Sequence, residues 1–254
     1  MKILLTNDDG ILAAGLAAIY PVLANFGDVH VVAPASPQSA AGHGITVTQP
    51  LIVSRVHVHE KFYGFSVDGR PADCVKLAIR ELTGGLPDLV VSGINAGANV
   101  GVNVLYSGTV AAAVEGAFFG LPAIAFSQQL GEELDLDRTA KLAGQMLDQL
   151  IRKNALGSGR LLNINFPRLS AGRPAPLGVR VVEQSTATMA DTFEKRSDPR
   201  GRTYYWIATP DRPIPEPLET DATALEAGYV TITPLQFNLT NRAHLAELAG
   251  WQWE

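Results

Sequence analysis

Lys2-Ile3-Leu4-Leu5-Thr6, running straight into Asn7-Asp8-Asp9-Gly10, sets the architecture of this 254-residue chain. A short, nearly continuous apolar run is how a parallel strand buried on both faces reads, and two adjacent carboxylates and a glycine follow it at once. Outward from it, residues 11–26 carry Leu12, Leu16, Ile19, Leu23 and Phe26 at helical spacing, and residues 28–33 supply a second strand through Val29, Val31 and Val32. Strand, helix, strand in that rhythm predicts a mostly parallel sheet with helices on both faces, a three-layer α/β arrangement.

The rhythm continues. Residues 45–56 and 62–67 alternate enough to be strands, and Pro71 opens a helix over residues 71–79, a favoured place for proline. Residues 88–92 form the next buried strand, and a glycine-rich loop over 93–108 follows it. Beyond that come a helix over 109–119, a strand over 122–126 and a long helix over 136–154. From Arg160 onward the pattern favours strands, at 161–166, 179–183, 204–208 and 229–233. This shift places a boundary near residue 168, dividing a catalytic core (1–168) from a strand-rich extension (169–254). Residues 186–202 lack apolar periodicity and read as a long loop or protruding hairpin.

Bulk properties exclude several classes. With 46% hydrophobic residues the chain can bury a sizeable core, while a formal charge of −5 argues against binding duplex nucleic acid, which needs a basic footprint. A single cysteine, Cys74, rules out an intramolecular disulfide and a thiolate zinc cluster. No apolar run approaches the roughly 20 residues of a membrane span. Asp8 and Asp9 interrupt any signal-peptide apolar region, so the expected compartment is the cytoplasm. Neither a Gly-x-Gly-x-x-Gly nor a P-loop segment is present, and Ser39 lacks a Gly-x-Ser-x-Gly elbow.

In an open parallel sheet ligands bind beyond the carboxyl ends of the strands. Asp8, Asp9, Ser39, Asn95 and the Ser107-Gly108-Thr109 run all follow predicted strands, so they are expected on one rim. Two carboxylates with the side-chain oxygens of Asn95 and Ser39 form an all-oxygen set suited to Mg²⁺, Mn²⁺ or Ca²⁺. The alternative makes Asp8 a helix cap, Asp9 a turn residue and Asn95 a tolerant loop residue. Ser107, Gly108 and Thr109 at a helix start present hydroxyls and free N–H groups to a phosphate, or else merely cap the helix. His43, in the Ser/Gly loop, is a candidate substrate contact against the commoner exposed loop histidine. Cys74 lacks a histidine partner and reads as packed.

Taken together, these motifs resemble the SurE family of stationary-phase survival proteins with 5′(3′)-nucleotidase activity. The resemblance rests on the segment from Ile3 to Gly10, Val32-Ala33-Pro34, Ile45-Thr46-Val47, Pro71-Ala72-Asp73-Cys74-Val75, Val91-Ser92-Gly93-Ile94-Asn95-Ala96-Gly97-Ala98-Asn99, Leu105-Tyr106-Ser107-Gly108-Thr109-Val110, Leu162-Asn163-Ile164-Asn165-Phe166-Pro167 and Gly228-Tyr229-Val230-Thr231-Ile232-Thr233-Pro234-Leu235. It implies a Rossmann-like αβα core and a metal-dependent phosphomonoesterase acting on nucleoside 5′- and 3′-monophosphates, with short polyphosphate as a side substrate. Asp8, Asp9, Ser39 and Asn95 would hold one divalent cation per subunit, Mg²⁺ or Mn²⁺ first, with Ca²⁺, Co²⁺, Ni²⁺ or Zn²⁺ compatible. Asp8, Asp9 and Asn95 would serve catalysis, Ser107 to Thr109 would hold the phosphate, and Asn7, His43 and Asn99 are further candidate substrate contacts. The extension, with its hairpin and terminal helix, would be exchanged between subunits of a homodimer or homotetramer. A receiver-like signalling domain also pairs acidic residues around Mg²⁺, but it needs a phosphoacceptor aspartate where this chain has Asn95. A nonenzymatic nucleotide-binding module would leave Asp8 and Asp9 without a role.

Overall fold

The fold is described from a computed structural model, covering residues 1–131, 134–170, 173–187, 192–208 and 219–253. The opening run forms β1 (Lys2–Thr6), the second strand is β2 (Asp28–Pro34), and α1 (Ala14–Leu23) crosses between them. After β3 (Val53–Val58), β4 (Phe62–Val67) and α2 (Pro71–Leu77), the chain returns to the far side of β1 as β5 (Leu89–Ala96). Then come α3 (Asn103–Tyr106), α4 (Gly108–Phe118), β6 (Ala123–Gln128), α5 (Leu136–Arg152) and β7 (Leu161–Phe166). β1, β2, β4, β5, β6 and β7 pair in parallel, as the buried apolar runs predict.

After β7 lie β8 (Val179–Val181), the antiparallel hairpin of β9 (Thr192–Ser197) and β10 (Thr203–Ala208), α6 (Asp221–Ala227), β11 (Val230–Leu235) and α7 (Arg242–Ala249). β11 enters the main sheet antiparallel to β7, and β8 pairs beyond it. The nine-stranded order is β3-β4-β2-β1-β5-β6-β7-β11-β8. Of residues 186–202, expected as a long loop or protruding hairpin, Thr192–Ser197 form one arm of a hairpin whose other arm, β10, lies beyond that stretch, and every residue of β9 is exposed. Residues 188–191 of that stretch lie outside the described residues.

Two apolar layers hold the sheet. Leu16, Ile19 and Leu23 of α1 join Leu147 and Leu150 of α5 on one face; Cys74 and Val75 of α2 join Val110, Ala112 and Ala113 of α4 on the other. Leu147 is 0% exposed. Leu147→Ala is therefore expected to remove about 2–5 kcal/mol of stability, transfer and cavity contributions together, as measured by urea unfolding.

One expected strand is shortened. Residues 45–52 are not part of a strand; pairing begins at Val53. Proline at position 50 has no N–H for a ladder, and upstream of it the N–H of Thr46 is taken by the carboxylate of Asp73 at 3.0 and 3.1 Å. The strand expected over 88–92 is in turn longer, since after a register shift between Ser92 and Asn95 it resumes pairing with β6. Asn95 thus sits on a strand extension rather than in a free loop. α1 presses against that irregularity, for a side chain at Gly15 would come within 1.9 Å of the Ile94 carbonyl oxygen.

Candidate active site

β1 is the point where the sheet order reverses, because the chain leaves it toward β2 and comes back beside it as β5. A crevice forms at the carboxyl ends of strands at such a point. Asp8 and Asp9 leave β1 there, and Asn95 lies within the carboxyl end of β5. Asn7 is wholly buried, and its amide closes the turn by donating to Gly10 O at 2.9 Å and accepting from Gly10 N–H at 3.2 Å. Asn7 therefore shapes the turn that carries Asp8 and Asp9. The N–H of Gln38 donates to Asp8 O at 2.8 Å, which ties the Ser39 loop to the same turn. Ser39 itself is exposed.

Asp8 is 6% exposed and accepts a hydrogen bond from the Thr109 hydroxyl. Burial pushes its carboxyl above the usual range; Thr109 opposes the rise and Asp9 adds to it. Burial raises Asp9 too, partly offset by the Ala96 N–H at 3.4 Å. The two carboxylates are thus poorly solvated, and among the described residues burial rather than a cationic neighbour dominates their acidity. Asn95 donates its amide N–H to Gly97 O at 2.7 Å, and because only the NH₂ end can do so its oxygen is left as an acceptor.

α4 begins against this pair. A Cβ on Gly108 would lie 2.7 Å from Asp8 Cβ, so only glycine lets the helix start so close. Ser107 accepts from the Val110 N–H at 3.1 Å, so its hydroxyl caps the helix as the bland alternative supposed. Thr109 serves Asp8 through both its hydroxyl and its backbone N–H. What α4 offers an anion is its positive end and the Gly108 N–H.

His43 lies against α4, with its contacts there rather than to the carboxylate pair. Its Nε2 is 2.8 Å from Glu115 Oε2, its ring stacks on Phe118, and Lys76 Nζ holds the other Glu115 oxygen at 2.9 Å. Burial raises the Glu115 pKa, but hydrogen bonds from His43 and Lys76 outweigh it, and the carboxyl ends below its ordinary value. Asn99 is buried: its N–H meets Asn165 Oδ1 at 2.8 Å, its backbone carbonyl accepts from Asn163 and Asn165, and its side-chain NH₂ donates to Ser127. It pins the glycine-rich loop to β6 and β7. Cys74 is packed, with burial first and Asp73 second driving its thiol pKa upward.

Sequence reasoning missed the groups that hold this loop from the far side. Asp221 accepts from the Gly101 N–H at 3.0 Å and from the Ser185 N–H at 2.8 Å, and Gln184 donates to Gly101 O at 2.8 Å. Nothing local marks Asp221, since its partners are 120 and 36 residues away. Asn163 and Asn165, two amides on one face of an otherwise apolar strand, were the visible signal.

Asp8 and Asp9 with the amide oxygen of Asn95 would make an all-oxygen donor set suited to a hard cation. Among the described residues no cluster of three or more His, Cys, Asp or Glu exists, so a site here would combine two carboxylates with neutral oxygens. That composition suits oxygen-seeking cations and lacks the nitrogen and sulfur ligands of a structural zinc site.

A doubly wound α/β sheet, with paired carboxylates at its switch point and a helix start against Asp8, defines a class of proteins whose ligand crevice lies at the carboxyl ends of the strands. The model of the family described as Survival protein SurE matches residues 3–191, and the chain belongs to that family. It is 46% identical to the 5′-nucleotidase SurE of Rhodopirellula baltica over 99% of this chain and 98% of that one. A protein of the same description from Syntrophobacter fumaroxidans is 43% identical, covering 99% of each. The crystal structure of the SurE protein from Aquifex aeolicus superposes with a TM-score of 0.84 at 37% identity, covering 98% of both chains. The mostly parallel sheet flanked by helices is thus the family's fold.

Proposed function

We propose that this chain is a divalent-cation-dependent phosphomonoesterase that hydrolyses nucleoside 5′-monophosphates, and 3′-monophosphates as a second substrate class, to nucleoside and phosphate. The observation that carries this reading is the buried Asp8 at the carboxyl end of β1, packed against the Gly108 start of α4 and bonded to Thr109, with the neighbouring Asp9 meeting the Ala96 N–H of β5. Relatives matched along nearly their whole length and described as 5′-nucleotidases support it. Short polyphosphate, which presents the same terminal phosphoryl group, is a side substrate.

Asp8, Asp9, Asn95 and Ser39 are the residues that would hold the cation. When bound, such a cation, Mg²⁺ or Mn²⁺ first, neutralises phosphoryl charge and acidifies water. Asp8, fixed by Thr109, is the rigid member of the pair. Asp9, less buried and with one long hydrogen bond, is the freer carboxylate and takes the proton from the attacking water. The Gly108 N–H and the α4 dipole bind the phosphoryl oxygens and offset the charge that spreads over them during transfer. No side chain is required to carry the phosphoryl group.

Residues 1–168 form the catalytic unit, and residues 169–254 are exchanged between subunits of a homodimer or homotetramer. Exposed Phe193, Tyr205, Trp206 and Ile207 on the hairpin, and an α7 without a buried residue, support this assembly. Among the described residues no helix is long and apolar enough to cross a membrane. The proposed compartment is the cytoplasm. The test is phosphate release from a panel of 5′- and 3′-mononucleotides, first with EDTA and then with Mg²⁺ or Mn²⁺ restored. Release that depends on the cation is expected; no release with any cation would refute the proposal.

A further inference from the structure

We propose that the nucleoside half of the substrate is bound in a cavity of about 310 Å³ beside Ser107, between α4 and the segment that leaves β11. This rests on the nucleotidase reading and adds to it a site for the base. The cavity follows one face of α4, through Ser107, Val110, Val114 and Phe118, so it starts at the helix end that faces the phosphoryl group and runs away from it.

Its walls suit a flat heterocycle. Phe118 and Phe237 meet edge to face at 4.7 Å, and the His43 ring lies nearly parallel to Phe118 at 5.1 Å. These rings are held open rather than packed away: Phe118 is 51% exposed and Phe237 47%. Large apolar surface left bare next to an anion-binding helix end calls for a ligand that is charged at one end and aromatic at the other. The polar groups are few and placed at the edge. Gln184 donates its amide N–H to Gly101 O, which leaves its oxygen to accept from a base amine. His43 is locked by Glu115, itself gripped by Lys76, so the ring is a fixed wall. A cavity of this size is at the small end of ligand sites, enough for one nucleoside and too small for a dinucleotide.

Phe237 comes from the extension while Ser107 comes from the core, so the base site forms only where the two parts meet. The experiment compares kcat/KM for a nucleoside 5′-monophosphate with that for ribose 5-phosphate, the same sugar phosphate without a base, in the wild type and in Phe237→Ala. Molar mass is followed by light scattering. The wild type is expected to prefer the nucleotide by about tenfold or more, and Phe237→Ala to lower that ratio about tenfold through KM, the size of one lost aromatic stack on a base. Equal rates on both compounds in the wild type would overturn the proposal. An equal loss on both in the variant would do the same, and if it came with a changed mass it would identify the cavity as an interface between copies. Release from neither compound by the wild type with Mg²⁺ or Mn²⁺ would instead remove the nucleotidase reading, and the base site with it.

Discussion

Asp8→Asn is expected to lower phosphate release by at least about a hundredfold in a cation-replete assay, and at the same time to raise the thermal midpoint of the metal-free protein. The two effects share one cause. In the folded chain Asp8 is buried beside Asp9, and its carboxyl pKa is raised above the unfolded value, chiefly by burial. A raised carboxyl pKa means that the ionised form is disfavoured by folding. The penalty is fully present above the folded pKa and is relieved as the pH falls through it toward the unfolded value. Asparagine keeps the oxygen that Thr109 donates to but carries no charge. The stability gain should therefore be largest at neutral pH and shrink in acid, as followed by calorimetry of the metal-free proteins from neutral to acidic pH. Saturating cation should reverse the order, since ligand at about a hundred times its Kd adds roughly 2.7 kcal/mol to the protein that binds it. Near-normal turnover of the variant, or a thermal midpoint below the wild type's, would contradict this account of the carboxylate pair.

Gly108→Ala tests the other side of the same contact. Two effects oppose each other. Alanine is the better helix former by about 1 kcal/mol, so α4 alone would gain. The new methyl, however, would sit 2.7 Å from Asp8 Cβ, closer than real Cβ atoms come, and 3.1 Å from Pro71 Cγ, a contact that is already tight. Neither neighbour can swing clear: Asp8 is held through Thr109, and Pro71 is a ring at the start of α2. The clash wins, and the start of α4 must draw back from the carboxylates. A misplacement of about 1 Å far smaller than the element itself can reduce turnover about a hundredfold, so kcat/KM should fall on that scale while circular dichroism keeps its helical signal. Unchanged kcat/KM in Gly108→Ala would mean that the approach of α4 to Asp8 has no part in the reaction.

Much of this could be read along the chain because it depends on neighbours in sequence. Apolar runs at β1, β5, β6 and β7 are buried on both faces, and that alone selects a parallel sheet covered by helices. Asp8 and Asp9 follow β1, and the rule that ligands gather at the carboxyl ends of strands put them on one rim with Asn95, although Asn95 proves to lie within the end of β5 rather than after it. Where the alternation was weaker the reading slipped. Over residues 45–56 the pattern suggested a strand, but Pro50 cannot donate to a ladder and Asp73 captures the Thr46 N–H, so pairing starts only at Val53.

Roles were harder to read than positions. The run Ser107-Gly108-Thr109 looked like three groups facing one phosphate, yet Ser107 caps the helix, Thr109 holds Asp8 and Gly108 supplies the space. Asn7 and Asn99, each considered as substrate contacts, have their amides engaged within the protein. A side chain's role depends on what lies across from it, and local sequence does not specify that. By itself the sequence determined the strand order's raw material: which runs are buried, where helices start, and that Asp8 and Asp9 come directly after the first strand. Only the tertiary structure decided which hydrogen bonds those ligands already satisfy, that Asp221 clamps Gly101 from 120 residues away, and that His43 turns to Glu115. Those outcomes follow from contacts closed across long stretches of chain, whose partners are chosen by packing rather than by spacing.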